Sequence, residues 1–318
     1  MRSFRFILIK FGKPVGVIFE TDGLWDLERG KVMDQEVMEL NEEYSHGSLG
    51  RRDFLKKLAI VAGGTAAADA MLPLLERNSA IAQVVAKDDA RLIVEYMKYP
   101  GETGEVRAYF VRPKEDAKLP GVVVIHENRG LNAHIEDVTR RVALEGFLAI
   151  APDALSPLGG TPQDPEKAPA LIGQLDRQKT IKNYLAAVKY LKTYSLSTGK
   201  VGTVGFCWGG GMANQVAVHS PDVVAAVPYY GLAPAAEDVP KIRASLLLHY
   251  AGLDERINSG IPAFEAALKK ASVDYKIYMY EGAQHGFNND RSSARYNREA
   301  AQLAWQRTIS FLKEKLKT

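Results

Sequence analysis

From about residue 90 onward, short apolar runs alternate with stretches of helical periodicity, and this alternation restricts the architectures open to the chain. The run Gly121-Val122-Val123-Val124-Ile125 has no polar side chain at any position. A strand with one wet face would alternate, so this run suits a strand covered on both faces. Ile135, Val138 and Val142 follow at helical spacing and end at Gly146, and 147–151 is the next strand, stopped by Pro152. Further on, a long amphipathic helix carries Ile181, Tyr184, Leu185, Val188 and Leu191. Strands are expected at 201–206, 224–228, 245–250 and 275–280, with helices from Trp208, over 261–270 and over about 293–315. At the start, strands 92–97 and 106–111 flank Pro100-Gly101-Glu102-Thr103-Gly104, a hairpin link. The pattern predicts the α/β class: a mainly parallel twisted sheet of about eight strands with helices on both faces.

Composition narrows the partners. Hydrophobic residues make up 46% of the 318 and charged ones 25%, which excludes global disorder and allows a sizeable core. The charge of +3 comes from 41 basic and 38 acidic residues with no basic block, so nucleic-acid binding is not expected. The single cysteine, Cys207, rules out an intrachain disulfide and a cysteine-based metal site.

That cysteine lies where a strand ends and a helix begins, within Gly205-Phe206-Cys207-Trp208-Gly209. A Gly-x-Cys-x-Gly bend at such a junction is a nucleophile elbow with sulfur in place of oxygen. The bend strains its central residue and brings strand and helix close, so its flanks must lack bulk. Gly205, Gly209, Gly210 and Gly211 meet that need. The sulfur then sits at a helix N-terminus, where the dipole favours thiolate, and the Trp208 N–H becomes an oxyanion donor.

An acid and a histidine should follow the nucleophile in that order. Ala251-Gly252-Leu253-Asp254-Glu255 follows one strand, and Gln284-His285-Gly286-Phe287 follows the next. In a parallel sheet both loops share the edge from which Cys207 emerges. His285 is the expected base and Asp254 its orienting acid, with Asp254 as a mere loop cap and Glu255 as the acid the rival assignment. Among the other histidines, His126 is the competitor because it abuts the same edge; His249 is expected to be packed inside a strand.

Together with His126-Glu127-Asn128-Arg129-Gly130, these motifs resemble the dienelactone hydrolase (carboxymethylenebutenolidase) family of the α/β-hydrolase fold, over roughly residues 90–315. The resemblance implies an ester or lactone hydrolase working through a thioester acyl-enzyme on a small-molecule substrate, without metal or organic cofactor. It implies that Glu127 contacts the cysteine and helps deprotonate it, and that the Asn128 N–H is the second oxyanion donor. The family's best-known members bind a substrate carboxylate with arginines, one shortly after the catalytic histidine. Here Asn288, Asn289 and Asp290 intervene before Arg291, and Arg129 is the candidate in its place. The rival function is an exported binding or redox-sensing protein that keeps the fold without turnover. A serine esterase finds no Gly-x-Ser-x-Gly.

The N-terminal part divides at Gly50. Arg51-Arg52-Asp53-Phe54-Leu55-Lys56-Lys57 precedes a mildly apolar stretch to Leu75, then Ala80-Ile81-Ala82, a small-x-small cleavage site. The arginine pair resembles a twin-arginine export signal, with Gly50 where Ser is more usual. Residues 50–82 are read as the signal, 83–318 as the hydrolase domain from Gln83, and 1–49 remain unassigned, with Met33 or Met38 as alternative starts. The expectation is a periplasmic protein whose partner is the twin-arginine machinery, with no stable membrane span. Residues 156–169, with four prolines, follow a strand at the active edge and are expected to form a lid.

Overall fold

The structure is a computed structural model that describes Leu40 and residues 51–61, 85–292 and 294–317. The arginine pair opens a helix, α1 (Arg51–Val61), whose Phe54 and Leu58 are buried. The rest of the signal region, its cleavage site at Ala82, the first residues from Gln83, and the candidate starts Met33 and Met38 lie outside the described residues. Among the described residues no helix is long and apolar enough to cross a membrane.

Eight strands form one sheet: β1 (Leu92–Gly101), β2 (Gly104–Pro113), β3 (Leu119–Ile125), β4 (Leu148–Pro152), β5 (Ser197–Phe206), β6 (Val223–Tyr229), β7 (Ser245–Ala251) and β8 (Tyr275–Tyr280). Their spatial order is β1-β2-β4-β3-β5-β6-β7-β8. The β1–β2 and β2–β4 pairs are antiparallel and every other pair is parallel. The expected hairpin is present, but its strands run further than the apolar pattern suggested. Gly101 pairs with Gly104, leaving a two-residue turn, and Pro100 is tolerated because β1 is an edge strand.

Alternation along the strands divides the core in two. Val123, Ile125, Leu148, Ile150, Leu246 and Leu248 point to one face and pack with α4 (Arg177–Thr193) and α5 (Trp208–His219). Val122, Val124, Ala149, Ala151, Val204 and Phe206 point to the other, under α2 (Ala133–Leu144) and α8 (Arg298–Lys317). This is why the β3 run has no polar position. Asn132 caps α2 by accepting from the His134 and Ile135 N–H groups. The last helix starts later than its periodicity predicts. Asn297 caps it through the Ala300 N–H, and the residues before it are spent in turns that return to the active edge.

The strand order reverses at β3 and β5, since β4 lies beyond β3 and β6 beyond β5. Such a switch leaves a crevice beyond the carboxyl ends of the strands. Ile125 pairs with Gly205, Phe206 with Tyr229 and Tyr229 with His249, so the segments that leave β3, β5, β6 and β7 emerge side by side.

Candidate active site

Cys207 has φ 55° and ψ −116°, a left-handed conformation that L-residues avoid. The surrounding glycines make it possible. A Cβ on Gly205 would lie 2.0 Å from the Gly209 carbonyl oxygen, and one on Gly209 would lie 2.4 Å from the His126 oxygen. Strand β5, helix α5 and the loop after β3 are therefore closer than any side chain permits. The elbow expected from spacing is present, and the three segments fix the sulfur in place.

The sulfur meets the predicted partners. His285 Nε2 lies 3.0 Å from Cys207 Sγ, and His285 Nδ1 lies 2.5 Å from Asp254 Oδ2. Asp254 also accepts the Ile257 N–H with Oδ1 and so caps a short helix, α6 (Glu255–Asn258). The cap contact and the histidine contact, rival expectations for this position, are made by one carboxylate because its two oxygens face different ways. Glu255 is exposed.

His126 does not compete for the thiol. Its Nε2 accepts the Ala154 N–H and its Nδ1 donates to the Glu127 carbonyl oxygen, while its ring stacks on Trp208. Burial holds its pKa below the ordinary histidine value. His249 is packed as expected, bonded to Tyr280 and Thr308, and burial pushes its pKa down to about 3.

Glu127 is buried beside the site, and Asn289 Nδ2 donates to its Oε2 at 2.7 Å. The thiol is pushed up to about 11, first by burial and next by the Glu127 charge; the Trp208 N–H, Arg256 and Arg295 pull the other way. The helix terminus was expected to favour thiolate. Desolvation outweighs it, and the resting group is a thiol.

A cavity of about 440 Å³ opens over Cys207. Asn128, Trp208 and Tyr230 line it together with Cys207, and Ile172, Leu175, Met212, Leu232 and Ile257 form most of its apolar wall. Arg129 is not part of this lining: its guanidinium is 2.7 Å from Glu166. The basic groups at the cavity are Arg177 and Arg256, and neither forms an ion pair among the described residues. Arg256 stands two residues after Asp254, but nothing in that motif marks it as facing the cavity, and Arg177 lies far from every site motif, so spacing offered no signal for it. Tyr230 was missed for the same reason.

The lid expectation also shifts. Residues 156–161 are tied down, with Thr161 bonded to Asp153 and Leu131, and Arg107 bonded to the Gly159 oxygen. It is Ile172 and Leu175, at and after the short helix α3 (Ala168–Ile172), that line the cavity.

Comparison with known proteins bears on the family and the fold. The model of the dienelactone hydrolase family matches residues 106–316. A Saccharolobus solfataricus protein assigned as a carboxymethylenebutenolidase is 34% identical over 253 residues, covering 68% of this chain and 96% of that protein. An Escherichia coli K12 protein with the same assignment is 31% identical over 247 residues, covering 73% of this chain and 90% of that one. A Klebsiella pneumoniae crystal structure assigned as a dienelactone hydrolase superposes with a TM-score of 0.63 at 27% identity, covering 70% of this chain and 99% of that chain. The eight-stranded sheet, the bend at its centre and a family match over residues 106–316 place this chain in the dienelactone hydrolase family, an ester and lactone hydrolase of the α/β-hydrolase fold.

Proposed function

We propose that the chain hydrolyses esters or lactones through Cys207, His285 and Asp254 with a thioester acyl-enzyme. The observation that carries this is a strained sulfur 3.0 Å from an imidazole whose other nitrogen rests on a buried carboxylate. His285 Nε2 takes the thiol proton as Sγ attacks the substrate carbonyl. Asp254 fixes the tautomer that leaves Nε2 free to accept and stabilises the imidazolium that results. The new oxyanion rests on the Trp208 and Asn128 N–H groups. The imidazolium returns its proton to the leaving alkoxide, and for a lactone that group stays attached to the acyl chain. Water, deprotonated by His285, then cleaves the thioester, and one carboxylic acid leaves.

Glu127 is the second proton acceptor for the thiol. Its carboxylate is held by Asn289 until substrate enters. For the substrate, the apolar wall suits an aliphatic or aryl body, and Arg256 and Arg177 suit a carboxylate at its far end. In this reading Arg256 takes the part first given to Arg129. Export by the twin-arginine machinery is the accompanying proposal, with Arg51-Arg52 as its determinant; replacing both by Lys should leave the protein in the cytoplasm of the expressing cell, as fractionation would reveal.

Purified Cys207→Ala is expected to lose p-nitrophenyl acetate turnover by about 10³-fold or more while keeping its circular dichroism spectrum. Wild-type turnover by that variant would refute the proposed nucleophile.

A further inference from the structure

Tyr230, the residue after β6, has φ 39°, one of the positive values at non-glycine positions among the described residues. Its N–H donates to the His249 oxygen at 2.7 Å, and a Cβ on the following Gly231 would lie 2.2 Å from Gly210. The backbone is thus pinned in a conformation that costs energy. The side chain is 1% exposed, its ring centroid lies 5.0 Å from that of His285, and it lines the cavity with Cys207.

Its hydroxyl has no hydrogen-bond partner. The neighbouring tyrosines are treated otherwise: Tyr229 bonds Thr308, and Tyr280 bonds His249. Tyr184 shares the lack, but it does not line the cavity. A buried donor left unpaired destabilises the fold, so its retention beside a nucleophile calls for an acceptor that arises during turnover.

We infer that the Tyr230 hydroxyl is a hydrogen-bond donor held in reserve for the negative charge that forms at Cys207 and its bound acyl group. No proton is transferred. The O–H turns toward the charge as the thiol gives its proton to His285, and Oη keeps its hydrogen throughout. Burial first, and then the Glu127 charge and that of Cys207 once ionised, hold the phenol's pKa well above the ordinary value. It therefore remains a donor across any workable assay range.

This rests on Cys207 as the nucleophile, and the test separates the two claims because alkylation reports on the thiol without turnover. Tyr230→Phe removes one oxygen atom. The expected result is a melting temperature equal to or above wild type, because the unpaired group has gone. The pH midpoint for iodoacetamide alkylation should rise by about one unit, and kcat on p-nitrophenyl acetate should fall about 10- to 100-fold with KM within about threefold. An unchanged alkylation midpoint with wild-type kcat would overturn the inference. So would a melting temperature lowered by several degrees, which would mark the hydroxyl as part of the packing.

Discussion

At Cys207 two electrostatic influences oppose each other, and burial prevails. The thiol stands near 11 because desolvation and the Glu127 charge outweigh the Trp208 N–H and the two arginines. In the absence of substrate, the iodoacetamide rate should therefore climb about tenfold per pH unit from 7 to 10 instead of levelling near 8.5. A plateau at neutral pH would show a thiolate already formed. Such a thiol is a poor redox sensor, which weighs against the redox-sensing alternative. Glu127→Gln separates two roles of one carboxylate: removing its charge should lower the alkylation midpoint while kcat on ester falls about tenfold or more. Asp254→Asn should cost about 10³- to 10⁴-fold in kcat, because the amide leaves Nε2 protonated and unable to accept from the thiol. Kinetics on a carboxylate-bearing ester check the arginine assignment. Arg256→Ala should raise KM about tenfold or more, whereas Arg129→Ala, which breaks only the contact with Glu166, should leave KM nearly unchanged.

At the level of elements, the elbow is a three-body contact of β5, α5 and the loop after β3. Gly209→Ala would place a methyl 2.4 Å from both the Ile125 and His126 carbonyl oxygens, and backbone on both sides cannot yield. A loss of at least about 3 kcal/mol in urea unfolding is expected. Strand–helix periodicity made β3 to β8 legible because each element buries a face and its side chains record that burial. Ends were less legible. The proline at β1 and the late start of α8 depend on an edge position and on the Asn297 cap, which periodicity does not encode. The proposed triad was legible because the order of its members along the chain follows the order of loops at one sheet edge. The cavity wall was not, since Ile172, Arg177, Tyr230 and Arg256 come from segments linked only by folding.

For the molecule as a whole, the two-sided core sets the pH range of stability. His249 is fully buried between β6 and β8, with its pKa depressed to about 3 in the fold against about 6.5 when unfolded. Between those values the unfolded chain binds the additional proton. The contribution is thus complete above about pH 6.5 and is lost as pH falls toward 3. Urea titrations at pH 7 and pH 4.5 should differ by a few kcal/mol, and His249→Gln should reduce that difference. A variant with the same acid sensitivity as wild type would place the effect elsewhere.

The amino-acid order by itself determined the class of fold, the bend at Cys207 and the candidacy of His285 and Asp254, because local periodicity and chain order are properties of a one-dimensional string. Folding decided which charges share a cavity, that Asp254 both caps a helix and contacts His285, that Arg129 faces Glu166, and that burial raises the pKa of the resting thiol. The reason is that desolvation and Coulomb interactions depend on distances between residues up to more than a hundred positions apart, and those distances exist only once the sheet has closed its two cores.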